Sequence, residues 1–111
     1  MSELAKKKCV PCEGGVKPYT PQEAQEMLKQ VSKDWMLIDG AHLLIKELRF
    51  KDFAQALAFA NKVGEIAEAE QHHPELSIGW GHVGVELTTH AIDGLSENDF
   101  ILAAKIDMIG V

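Results

Sequence analysis

Two short stretches of this chain carry residue types that can do chemistry: Gln71-His72-His73-Pro74 and Thr88-Thr89-His90. Histidine is the side chain that can give or take a proton near neutral pH. His72 and His73 stand at the end of a long helical pattern, and neighbouring positions there diverge by about 100°, so the two rings must have different jobs. A protonated histidine at a helix C-terminus also interacts favourably with the helix dipole. That explanation fits one histidine better than two in a row ahead of Pro74. Metal ligation is the rival use. Zinc-binding histidines on a helix sit at i and i+4 on one face, whereas adjacent ones do not share a face and no carboxylate or cysteine completes a set, so no metal is expected. A nucleophile lacks support as well, since there is no Gly-x-Ser-x-Gly turn and no glycine-rich phosphate loop.

The neighbouring polar residues have ordinary readings beside the chemical one. Glu68 and Glu70 flank the approach to His72; a carboxylate there could orient an imidazole, yet most helix-surface glutamates are simply solvated. Thr88 and Thr89 bring hydroxyls and backbone amides close to His90. Asp99, the fourth residue of Ser96-Glu97-Asn98-Asp99, is sufficiently explained as a helix-capping carboxylate. His42 and His82 have no supporting context and read as surface residues.

Composition limits the partners. At 111 residues the chain fits one domain. Its 46% apolar and 25% charged content is ordinary for a globular protein. The net charge of −6, from 11 Lys+Arg against 17 Asp+Glu, makes a nucleic-acid backbone a poor partner. Lys6-Lys7-Lys8 reads as a solubilising tail. No apolar run approaches the ~20 residues that span a bilayer, and no apolar segment follows the basic cluster as in a secretory signal. A cytoplasmic protein without membrane partners is the expectation. Cys9 and Cys12 form a lone Cys-x-x-Cys in a Pro/Gly-rich segment, without the second pair a structural zinc would need.

The elements that must position these residues follow from local signals. Residues 1–19 read as a leader, partly flexible, and 20–111 as a single domain. Thr20-Pro21-Gln22-Glu23 opens a helix with a capping box and a proline at its first position, and the helix should end near Ser32-Lys33. Trp35–Ile38 and about His42–Phe50 read as strands around Asp39-Gly40. The second strand alternates imperfectly because Lys46 lies among Leu44, Leu48 and Phe50, as in a strand covered on both sides, by another subunit for instance. Asp52 caps the longest helix, Phe53 to Glu70, with a core stripe expected of Phe53, Ala56, Leu57, Ala60, Val63 and Ala67. Leu76–Trp80 and Val83–Thr89 read as a second hairpin, and Ser96 opens a last helix reaching about Ile109. The order α-ββ-α-ββ-α predicts an α+β domain, a four-stranded antiparallel sheet with three helices on one face.

The segments Glu68-Ala69-Glu70-Gln71-His72-His73-Pro74-Glu75, Val85-Glu86-Leu87-Thr88-Thr89-His90 and Gly94-Leu95-Ser96-Glu97-Asn98-Asp99, with Phe50-Lys51-Asp52-Phe53 ahead of them, resemble the pterin-4a-carbinolamine dehydratases. The likeness covers about Thr20 to Ile109. It implies dehydration of 4a-hydroxytetrahydropterin, the product of aromatic amino-acid hydroxylases, to quinonoid dihydropterin and water. It also implies no cofactor and a homo-oligomer, dimer or tetramer. Carried over by position, the resemblance makes His72, His73 and His90 catalytic and assigns Glu68, Gln71, Thr88, Thr89 and Asp99 to substrate binding. Gln71 stands where animal members often have an acidic residue, and Leu76 where they have Trp. The same resemblance leaves two alternatives open: a non-catalytic dimerisation and coactivator module, and a pterin role in molybdopterin metabolism.

Overall fold

A computed structural model of the chain describes residues 3–9 and 17–109; Cys12, half of the Cys-x-x-Cys pair, lies outside them. The elements are α1 (Pro21–Leu28), β1 (Met36–Ile38), β2 (Leu43–Arg49), α2 (Phe53–Glu70), β3 (Glu75–Gly79), β4 (His82–Leu87) and α3 (Glu97–Asp107), with short 3-10 turns at Glu3–Lys6 and His90–Ile92. The strands form one antiparallel sheet in the order β1-β2-β4-β3. The expected α+β class and element order are therefore observed.

Local signals account for where the helices begin. At α1 the Thr20 hydroxyl accepts from the Glu23 N–H while the Glu23 carboxylate accepts from the Thr20 N–H. Asp52 accepts from the Gln55 N–H at 2.9 Å and so starts α2. Each bond satisfies a donor that the helix itself leaves unpaired. α1 is shorter than expected, because after Leu28 the chain tightens into successive i to i+3 turns that lead to Trp35. The β1–β2 connection is also wider than a two-residue hairpin, with Asp39, Gly40 and Ala41 all at positive φ.

Register fixes which face of the sheet is buried. Leu44, Lys46 and Leu48 of β2 stand opposite Leu87, Val85 and Val83 of β4, and the three β4 residues are buried with Ala56, Phe59, Val63, Phe100 and Leu102 in one core. Lys46 is thus on the core face. It reaches the layer's edge, where its ammonium lies 2.8 Å from Asp107 and over the Trp35 ring. Asp107 also accepts from the Trp35 indole and the Ser32 N–H. The imperfect alternation of β2 is explained within one chain, by a lysine whose apolar stem packs while its head finds a carboxylate.

The stripe on α2 differs from the expected one at three positions. Phe53 and Leu57 are 45% and 40% exposed, while Phe59, absent from the expected stripe, is buried against Phe50. Part of the leader region is also structured. Leu4 is buried in the core and the Glu3–Lys6 turn packs on α3.

Candidate active site

α2 ends in a left-handed turn. Gln71 has φ 56° and ψ 38°, and the N–H groups of Gln71 and His72 both donate to the Ala67 carbonyl. The Gln71 side chain donates to the Glu68 carbonyl at 2.7 Å. Between them these bonds satisfy carbonyls that a helix end would leave orphaned. The reversal turns His72 toward α3 and leaves His73 outside.

His72 meets Asp99 there, with its Nε2 2.7 Å from Asp99 Oδ1. Asp99 is wholly buried, and its other oxygen accepts from the Thr89 hydroxyl at 2.7 Å and from the Ser96 N–H at 2.9 Å. A hydroxyl has one proton to give. Thr89 spends its proton on Asp99, so the Ser96 hydroxyl, 2.9 Å away, donates to Thr89. Three donors converging on two oxygens suit an ionised carboxylate, which can only accept. It follows that His72 carries its proton on Nε2 when neutral, because Nε2 must donate. Among the described residues nothing pairs with the ring's other nitrogen, Nδ1.

His73 lies outside this network, its Nε2 2.8 Å from Glu68 Oε2. The two side chains are 57% and 73% exposed, so the pair contributes little to stability. β4 ends at Leu87, before His90, which begins the 3-10 turn and is exposed. The turn is pinned by reciprocal backbone bonds between Thr89 and Gly94. A Cβ on Gly94 would lie 2.6 Å from the Pro18 ring, so glycine is needed where Pro18 crosses the turn. Thr88 donates its hydroxyl proton to the His42 carbonyl at 2.8 Å. His90 is thus the chain neighbour of Thr89, which holds the same carboxylate as His72.

Sequence reasoning missed one part of this arrangement, the union of two roles in Asp99. The residue caps α3 through Ser96 and receives His72; the capping segment signals the first role and the family resemblance a place at the site, but neither signals the contact with His72. Among the described residues no three of His, Cys, Asp and Glu are gathered as a metal-ligand set.

An α+β sheet with a buried aspartate behind a helix-end histidine is the frame in which the comparisons fall. Residues 17–109 match the family described as pterin 4 alpha carbinolamine dehydratase, and the chain belongs to that family. A Methylococcus capsulatus protein is 53% identical over 104 residues, covering 94% of this chain and 90% of its own length. A Rickettsia bellii protein is 50% identical over 106 residues, covering 96% and 93%. Both bear the provisional name pterin-4-alpha-carbinolamine dehydratase. Among solved structures, a Brucella melitensis protein described as a transcriptional coactivator/pterin dehydratase superposes with a TM-score of 0.74 at 32% identity, over 81% of this chain and 95% of that one. A pterin dehydratase-like protein described as a RuBisCO assembly factor shares the fold at TM-score 0.57 and 24% identity. No helix among the described residues is long and apolar enough to cross a membrane.

Proposed function

We propose that the chain dehydrates 4a-hydroxytetrahydropterin to quinonoid dihydropterin and water by histidine acid–base catalysis. The observation that carries this reading is the 2.7 Å contact between His72 Nε2 and the wholly buried Asp99. A carboxylate held on one ring nitrogen fixes the tautomer and leaves the far nitrogen to exchange protons. Expelling the C4a oxygen requires that it leave as water, so one group must supply a proton as the C–O bond breaks. Loss of the N5 proton, with its electron pair forming the new C4a–N5 double bond, completes the balance. His72 through Nδ1 and His90 carry these two transfers, and no oxidation state changes. His73, braced by Glu68, positions the pterin.

In this reading Asp99 and Thr89 act behind His72 rather than on the substrate. Asp99 and Thr89 are buried and have spent their side-chain bonds on each other, on Ser96 and on His72, so their role is to hold His72 in place. The Thr88 hydroxyl keeps only its lone pairs for a ligand. The exposed Phe53 and Leu57 of α2 provide the apolar surface for the homo-oligomer. The same surface suits the coactivator-type reading, which the description of the Brucella protein as a coactivator favours.

Rates of His72→Ala, His73→Ala and His90→Ala on chemically generated carbinolamine test the assignment, after subtraction of the spontaneous reaction. Losses of about 10²-fold or more are expected for His72 and His90, with a raised KM for His73. Near-wild-type rates in both His72→Ala and His90→Ala would refute the mechanism.

A further inference from the structure

The two partners of the His72–Asp99 contact belong to different helices, α2 and α3, and the segment Glu3–Cys9 ties those helix ends together from behind. Leu4 anchors the segment, 2% exposed within the core. Lys105 of α3 donates to the Ala5 carbonyl at 3.0 Å and lies 3.5 Å from Glu70 Oε2. The other oxygen of Glu70 accepts from the Cys9 N–H at 2.8 Å. The Cys9 thiol reaches the Asn98 carbonyl at 3.5 Å, and Lys7 pairs with Glu97 at 2.8 Å. Glu70 is the last residue of α2 and stands two positions before His72; Asn98 stands one before Asp99.

We infer that Glu70, clasped by the Glu3–Cys9 strap and Lys105, is a positioning residue that sets the distance between His72 and Asp99. The inference rests on the acid–base reading only for its effect on rate. Beyond Glu70 the backbone of the turn to His72 makes only local hydrogen bonds, those of Gln71 and His72 to Ala67 and Glu68, and the His72–Asp99 contact is the link whose length is to be set. The local bonds fix the shape of the turn but not its place relative to α3. Glu70 supplies that placement, since both its oxygens are used and its side chain is only 12% exposed. The hydrogen bond from Cys9, with the charge of Lys105, holds the Glu70 carboxyl below the usual carboxylate range in spite of its desolvation. Lys6-Lys7-Lys8 thereby gains a use beyond solubility, because Lys7 pairs with Glu97 at the start of α3 and Lys8 adds positive charge near Glu70.

The test compares Glu70→Ala, its conservative counterpart Glu70→Gln, and Asp107→Ala, which loosens the opposite end of α3. Each is followed by steady-state kinetics and by ¹⁵N spectra of the His72 ring, which report its tautomer without any turnover. Glu70→Ala is expected to lower kcat about tenfold with KM within about twofold, and to blur the Nε2–H signature of neutral His72 into a tautomer average. Glu70→Gln, which keeps an acceptor for the Cys9 N–H, should recover most of both. Asp107→Ala, at a denaturant concentration giving matched stability, should leave the tautomer alone. Should Glu70→Ala not fold, Lys105→Met carries the same comparison. A wild-type His72 signature in the Glu70 or Lys105 variant, or an equal change in Asp107→Ala, overturns the inference. A changed signature in a protein whose wild type does not exceed the spontaneous rate supports the positioning and refutes the dehydratase reading instead.

Discussion

Replacing Asp99 with asparagine probes the site at its least accessible atom. The Oδ2 position accepts from both the Ser96 N–H and the Thr89 hydroxyl, so the asparagine carbonyl must take that place. Its amide NH2 then faces His72 Nε2, donor against donor. The ring can relieve the clash by moving its proton to Nδ1, so that Nε2 accepts instead. Neutral His72 would then present an N–H at Nδ1 in place of a lone pair, and the imidazolium formed when the ring takes up a proton would lose its buried counter-charge. A hydrogen bond to a charged group is worth about 1.5–3 kcal/mol, and each ~1.36 kcal/mol is tenfold in rate. The expected fall in kcat is therefore about 10- to 150-fold. KM should hold within about threefold, because Asp99 is wholly buried. Thermal unfolding controls for stability, which should change little because the new carbonyl keeps two of the three donors satisfied. Single-turnover dehydration and ¹⁵N spectra of His72 together decide the matter. An Asp99→Asn protein with wild-type kcat and an unmoved Nε2–H tautomer would show that the buried carboxylate does not govern the ring.

The remaining predictions concern stability and reactivity. Asp107→Ala removes the carboxylate shared by Lys46, the Trp35 indole and the Ser32 N–H; urea unfolding should show a loss of about 2–4 kcal/mol, short of the full cost of a deeply buried pair because both ends keep some solvent, and a loss below about 1 kcal/mol would contradict it. Burial, with the Glu70 charge second, pushes the Cys9 thiol from near 9 up to about 12. In a Cys12→Ser background Cys9 should therefore react with a thiolate-directed reagent at pH 8 roughly a thousandfold more slowly folded than unfolded. Below about pH 9 both states hold the thiol proton and the group does not affect stability. Between about 9 and 12 the unfolded chain ionises first, so stability should fall with pH by up to about 1.4 kcal/mol per unit. Tyr19, raised by burial and then by Glu97, pulls in the same direction at the alkaline end.

The fold was legible where a signal was local and strong. α2 runs from Phe53 to Glu70, as Asp52 and the helix-stopping Pro74 predict. What periodicity could not resolve was the flank of that helix. Around the axis Phe53 and Phe59 lie about 60° to either side of the buried centre formed by Ala56, Val63 and Ala67. Choosing between them requires knowing where the sheet ends. Phe50, the residue that follows β2, covers Phe59 and leaves Phe53 to solvent. The leader posed a different difficulty. Seven residues with no periodicity look unstructured, yet a single apolar anchor, Leu4, with backbone groups that other helices satisfy, is enough to dock them.

The candidate site shows why residue types outrun roles in a sequence. All three histidines were identifiable by type and company, but nothing in their order says which one is backed by a buried charge. That distinction is made by a capping residue. At the third position of α3 the short Asp99 side chain bonds back to the cap and is wholly buried, so it must find further donors or incur the cost of an unpaired charge. Thr89 and His72 are those donors here. Asp99 therefore ties the stability of α3 to the tautomer of His72, and a change that frays the first turn of α3 disorders the His72 ring together with the helix.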